Sequence, residues 1–544
     1  MNIDTPSDDY AMDQYVQAQS SFISFVPNEI LFDILSMVPS SAGAQPHLLP
    51  IVLSHVSQLW RALMLSSPKL WANISVHETY GQQVAHFSAT LSRVQQFLER
   101  SSECALTVDI VVLWQLNVLE QFTTDATFDD GFEIFRGCMK VLSSIIAPHL
   151  WRFKTFNLVC DEFCSMVHIQ SAFPQVSMPL LELWHIRQTY QELAFEGDLE
   201  DVDDMSALHM PLRRDDATEE ETSFLFPRLQ SAAFCATPLT WSRFCPRNLR
   251  FLEISDLPTQ ARPDGEVLRQ ILLANEHSLE WLKISGAAPT SYAHQHYVLS
   301  KLERLELGYA FPDELIPFLE DVQLPNLVHL VIEDLYRSST PAFARQQLEF
   351  DGTTALLFYC ITDNLPLHQV KDLELRHVCF FPPVSQNTPT NAPITHFDLV
   401  IPDVSFEFFC KLAALRNLTL VDPDIATLLT LNHIPISVTT GEAGGREDSV
   451  PVPTLNSLRL ENFNQDLIRV FLTLRMGNHT NLRRLAKLSL GNPSSCLAHI
   501  SPNWIEIFNR SSDRFLLAEN FEYNHTDIFN NLNVEVKLGT YPFS

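Results

Sequence analysis

The chain has 544 residues, 46% of them apolar and 19% charged, the profile of packed globular protein rather than of a disordered chain. Its 65 Asp and Glu against 36 Lys and Arg give a formal charge of −29. That excess argues against nucleic acid as a partner, because phosphate binding needs clustered cations that release counterions.

Residues 1–24 open with Asp4, Asp8, Asp9 and Asp13 and, through residue 20, no Lys or Arg. This predicts a flexible acidic arm, the reverse of a basic-then-apolar secretory leader. No apolar run approaches the roughly 18–20 residues of a membrane span, so no membrane association is expected, and the predicted location is cytoplasmic, nuclear or both.

The first structured stretch is predicted over 25–76. Pro27 followed by Asn28 and Glu29 suits a helix first turn, where a missing N–H costs nothing and a carboxylate meets the positive end of the helix dipole. Ile30, Leu31, Ile34, Leu35 and Val38 then form one apolar stripe. After the breakers Pro39, Gly43 and Pro46, helical spacing returns in Leu49, Val52, Leu53, Val56, Leu59, Trp60 and Leu63. Helices this small cannot bury all of that surface against one another, so part of it must face something else.

Three blocks in order, Val26-Pro27-Asn28-Glu29-Ile30-Leu31 through Leu35, His55-Val56-Ser57-Gln58-Leu59-Trp60-Arg61-Ala62-Leu63, and Ser67-Pro68-Lys69-Leu70-Trp71, make the segment resemble an F-box. It departs from the family pattern at Val26, Ser57, Gln58 and a longer loop. The resemblance implies docking on the Skp-type adaptor of a cullin ubiquitin ligase through Pro27, Ile30, Leu31, Ile34, Leu35, Leu53, Val56, Trp60 and Leu63.

Alternation at Ile74 and Val76 leads into residues 77–150, which read as linker and first degenerate repeats: helical spacing at Val84, Phe87, Leu91, Val94 and Leu98, alternation at Leu106, Val108 and Ile110, then a Phe-rich helical stretch. Over 151–508 the pattern apolar-x-x-apolar-x-apolar returns. Its copies start at Phe153, Leu181, Leu229, Leu249, Leu279, Leu302, Leu327, Val370, Ile394, Leu415, Leu455 and Leu485, mostly about 20–30 residues apart. Helix-like pieces lie between them, so each unit is a strand plus a helix that cannot bury its apolar side alone. This part resembles the irregular leucine-rich repeats that accompany F-boxes, especially in fungal proteins. The predicted class is therefore α/β, an N-terminal helical F-box followed by an irregular leucine-rich-repeat solenoid of strand–helix repeats, with 509–544 as a C-terminal cap or tail.

An insertion at 192–221 carries twelve acidic groups against Arg213 and Arg214. Its most acidic run, Asp198–Met205, lacks the glycine and ligand spacing of a calcium loop, and the insertion reads as a solvated loop that would steer a basic partner.

Strand side chains alternate, which places Phe251 and Glu253, Trp281 and Lys283, Arg304 and Glu306, His329 and Val331, Asp372 and Glu374, His396 and Asp398, Asn417 and Thr419, and Arg459 on one recognition face. Aromatics and arginines are the commonest anchors of such faces. The ten cysteines are irregularly spaced, and there is no phosphate loop, Gly-x-Ser-x-Gly elbow or His-Glu-x-x-His. No catalytic residue, metal or cofactor is expected.

The function implied is a non-catalytic, substrate-recognition subunit of a Skp–cullin–F-box ubiquitin ligase, with a target protein on the repeat face. The alternative is a leucine-rich-repeat scaffold for protein–protein interaction with no ligase role.

Overall fold

A computed structural model describes residues 26–27, 30–31, 33, 48–79, 84–113, 137–161, 166, 169, 177–189, 226–239, 241–289, 295–339, 353–380, 403–423, 425–431, 451–462, 487–490 and 535–538. They are mixed α/β and fall into two compact units, Met1–Leu158 and Val159–Ser544. No described helix is long and apolar enough to cross a membrane.

In the first unit, Leu31 N–H donates to Pro27 O at 2.9 Å, closing the helix turn that Pro27 predicts. Ile34, Leu35 and Val38 lie outside the described residues. The apolar run from Leu49 to Leu63, read as a single helical stripe, is two helices instead: α1 (Leu49–Ser54) and α2 (Gln58–Leu65). The cause is Ser57, whose extended backbone breaks the run while its hydroxyl accepts from Trp60 N–H at 3.2 Å and caps α2. Ser57, a departure from the F-box pattern, thus starts a helix here.

A 3₁₀ turn, Pro68–Trp71, follows, and the Trp71 indole donates to Met64 O at 2.8 Å. The ring also meets Phe97 edge-on at 5.0 Å and lies under the Arg100 guanidinium at 4.4 Å. Strand β1 (Asn73–Thr79) runs parallel to β2 (Leu106–Leu113), joined by α3 (Val84–Arg100), which packs on β1. Ile74, Val76, Leu106, Val108 and Ile110 are all at most 2% exposed, as their alternation predicts. Strand β3 (Phe153–Cys160) begins in this unit.

The second unit is a run of parallel strands: β4 (Leu183–Gln188), β5 (Ser231–Cys235), β6 (Phe251–Ser255), β7 (Trp281–Ser285), β9 (Arg304–Tyr309), β11 (His329–Asp334), β12 (Asp372–Arg376), β13 (Asn417–Val421), β14 (Ser457–Glu461), β15 (Lys487–Leu490) and β16 (Glu535–Leu538). A separate pair, β8 (Tyr297–Val298) and β10 (Val322–Gln323), stands outside it. Each strand of the run pairs with the next in sequence and in strict register. Leu252, Leu282, Leu305, Leu330, Leu373, Leu418 and Leu458 are consecutive Cα partners, as are Ile254, Ile284, Leu307, Ile332, Leu375, Leu420 and Leu460. All are at most 3% exposed. The core lies against this side of the sheet, because a one-residue slip would turn both ladders out to water.

Helices α4 (Gly265–Leu273), α5 (Ile316–Asp321), α6 (Thr353–Asn364), α7 (Asp403–Lys411) and α8 (Ile425–Leu431) fill the connections. Phe358, Phe380, Phe408 and Phe409 form an aromatic core, with Phe358 and Phe408 crossing at 5.1 Å. The copy starting at Ile394 lies outside the described residues, and β12 pairs directly with β13, so the register runs from Asp372 straight to Asn417. The insertion 192–221 is likewise outside the described residues. Strand β16 falls in the segment expected as a cap or tail.

Several strands end on a left-handed residue: Ala236, Asp256, Gly286, His377, Asp422 and Asn462. The N–H of Asp256 donates to Ser285 O at 2.8 Å, that of Gly286 to Gly308 O at 2.9 Å, and that of Asp422 to Glu461 O at 2.9 Å. The turn therefore satisfies one more backbone donor across to the next strand. Asp and Asn recur in it because, after glycine, they tolerate positive φ best.

Candidate functional site

Two surfaces hold the residues singled out in the sequence, one in each unit. In the N-terminal helical segment and its turns, Ile30 is 50% and Val56 59% exposed, and Pro27, Val52 and Leu59 are exposed as well. Leu53 and Trp60 are half-buried. Leu31 and Leu63 are buried, which removes them from any surface a partner could touch. Among the described residues, the apolar positions thus divide into buried side chains and exposed ones. Ile34 and Leu35 are not among the described residues.

On the sheet, the residues alternating with the two apolar ladders share one face, as a period of two requires. One row runs Leu183, Ser231, Phe251, Trp281, Arg304, His329, Asp372, Asn417, Ser457. The next runs His185, Ala233, Glu253, Lys283, Glu306, Val331, Glu374, Thr419, Arg459. Apart from His396 and Asp398, outside the described residues, every residue assigned to this face from the sequence lies on it.

Side chains on this face interact across the strands. Phe251 and Trp281 pack with ring centres 4.5 Å apart, and the Arg304 guanidinium lies 4.1 Å above the Trp281 ring while donating to Glu306 through Nε at 2.7 Å. Glu253 is 6% exposed; its Oε1 accepts from Lys283 Nζ at 2.7 Å and lies 3.8 Å from Arg187 Nη2. Farther along, His329 meets Asp372 at 2.8 Å, and Arg376 bridges Glu374 at 2.7 Å and Glu333 at 3.4 Å. Arg459 pairs with Glu461.

Sequence reasoning missed His185 and Arg187 on β4 and the third row that holds Ser255, Ser285, Glu333, Arg376 and Glu461. The signal was present: these are the outward positions of copies already located, one step farther along each strand. His185 donates to or accepts from Ser231 Oγ at 2.8 Å, and burial shifts its imidazole below the ordinary value, so it favours the neutral form. At the strand ends the Cys235 thiol donates to Asp256 Oδ2 at 3.2 Å. Burial, with Asp256 beside it, pushes that thiol up to about 12. A thiol so held stays protonated and is a poor nucleophile. Among the described residues no three His, Cys, Asp or Glu side chains are grouped to hold a metal ion.

No family model matches the chain, and no curated protein matches it significantly.

Proposed function

We propose that the chain is the substrate-recognition subunit of a Skp–cullin–F-box type ubiquitin ligase. The N-terminal helices dock the adaptor, and the parallel strands form a leucine-rich-repeat solenoid whose outward face holds a target protein. The chain itself does no chemistry; it speeds ubiquitin transfer by holding the target near a conjugating enzyme that the cullin brings.

The observation that carries this reading is the exposure of the apolar side chains Ile30, Val52, Val56 and Leu59 in a segment that resembles the F-box pattern in three blocks. Large apolar side chains left exposed close together in sequence are what a protein partner covers. The in-register leucine ladders support the repeat half, since such units gain stability only by stacking.

The test is capture of a Skp adaptor and its cullin by the full-length chain. Ile30→Asp and Val56→Asp are expected to weaken capture by about ten-fold or more each, as loss of an interface anchor does, with the thermal midpoint unchanged. Leu31→Ala, at a buried site, is expected instead to destabilise the helices by about 2–5 kcal/mol. Undiminished capture by both Asp variants contradicts adaptor docking through these side chains. Absence of cullin from a complex that still holds a target protein favours the scaffold reading.

A further inference from the structure

The last turn of α3 is held by a buried arginine. Arg152 closes a 3₁₀ turn, Ala147–Arg152, immediately before β3, and is 2% exposed. Its guanidinium is spent on the end of α3 and the turn beyond: Nη2 donates to Ser101 Oγ at 2.5 Å, Nη1 reaches Leu98 O at 3.5 Å, and Nε donates to Cys104 O at 3.0 Å. The Ser101 hydroxyl passes the contact on, donating to Leu98 O at 2.9 Å. Leu98 O is one of the carbonyls that a helix C-terminus leaves without a partner, and a cation placed there meets the negative end of the helix dipole.

One further acceptor depends on a proton. Arg152 Nη1 lies 3.3 Å from His149 Nδ1. A guanidinium has donors only and keeps its charge throughout the range in which histidine titrates, so Nδ1 must accept and the imidazole must be neutral, with its proton on Nε2. With both nitrogens protonated, His149 would set a second cation against Arg152 and offer it no lone pair. Burial first, then the Arg152 charge, lower the imidazole below its ordinary value of 6.5, against the opposing pull of Glu103, which faces both groups. Cys104 is a further titratable neighbour of Arg152, while the Arg100 guanidinium lies over the Trp71 ring.

We propose that His149 and Arg152 form an acid-released latch on the C-terminal turn of α3, in which neutral His149 steers the guanidinium onto Ser101, Leu98 and Cys104 and a proton on Nδ1 drives it away. The effect reaches the N-terminal helical segment, because the same turn carries Phe97 and Arg100, which hold the Trp71 ring edge-on at 5.0 Å and from above at 4.4 Å. A base that folding holds below its ordinary value binds fewer protons in the native state, so the latch is firm at neutral pH and loosens as pH falls below 6.5. It stands whether or not the chain serves a ligase.

Hydrogen–deuterium exchange of the full-length protein tests it at about pH 7.5 and about pH 5.5, on either side of the histidine range, with each peptide's rate divided by its intrinsic rate at that pH. Exchange over 96–104 and over 64–72 is expected to be about ten-fold faster at the lower pH, the ordinary result of losing a hydrogen bond to a charged group. His149→Asn sets an amide oxygen where Nδ1 stands and takes up no proton; its exchange is expected to be slow at both pH values. His149→Lys fixes a cation there and is expected to exchange fast at both. His149 is only half-buried, so neither change empties the core. Equal protection of 96–104 at the two pH values in the parent overturns the latch, and so does a pH difference that persists unchanged in His149→Asn. A change over 96–104 that leaves 64–72 fully protected overturns the coupling to Trp71.

Discussion

Asp256 shows how a single residue serves both backbone and electrostatics. Its φ of 56° and its N–H bond to Ser285 O make it the turn residue after β6. Burial raises its carboxyl above the model-peptide value of 3.8, an effect that the Cys235 hydrogen bond and the Lys283 charge only partly offset. A carboxyl whose value is raised by folding contributes its full stability below 3.8 and loses it as pH climbs through the folded value. Asp256→Asn keeps the left-handed turn and the acceptor for Cys235 while removing the charge. The variant is expected to be more stable than the parent at pH 7, with the difference vanishing as pH falls toward 4, in denaturant titrations at each pH. Asp334 is raised by burial in the same sense, so some of the parent's pH slope remains in the variant.

At the scale of the element, the connection from α4 to the strands depends on Asn275, which is 2% exposed. Its side chain donates to Pro246 O at 2.8 Å and Ile271 O at 2.7 Å, and accepts from Leu249 N–H at 2.8 Å. It thereby satisfies a helix-end carbonyl and the backbone leading into β6 together. Asn275→Ala leaves three buried polar groups unpaired and is expected to cost about 2–3 kcal/mol, measured as a lower denaturation midpoint at unchanged slope. Close strand approach imposes a second local demand: a Cβ on Gly308 would lie 2.9 Å from Ser285 Cβ on the neighbouring strand. Only glycine fits there, whatever its cost to a strand.

Across the whole molecule the charge of −29 opposes compaction. Raising NaCl from about 0.01 M to 0.15 M shortens the screening length from about 30 Å to about 8 Å. The exposed pairs that salt also weakens, such as Arg250 with Glu280 at 2.8 Å, contribute little, because water already screens them. Relief of the general repulsion therefore wins, and the thermal midpoint is expected to rise with salt over this range; a fall would show that the ion pairs dominate.

The local pattern was enough to find the strands, because apolar residues at a spacing of three and then two leave one way to bury them all. Leu249, Leu252 and Ile254 announce β6, and Leu302, Leu305 and Leu307 announce β9. From that, the outward positions of Phe251, Trp281 and Arg304 followed without coordinates. Periodicity could not show that Ser57 divides the Leu49–Leu63 run, since a serine cap and a helical serine look alike until the backbone direction is known. Nor could it separate Leu31 and Leu63, which are buried, from Ile30 and Val56, which are exposed: all four are apolar at helical spacing, and only the position of the neighbouring chain decides which side is covered. The same holds for charge. Glu253, Lys283 and Arg187 are distant in sequence, and only parallel register brings two cations onto one buried carboxylate.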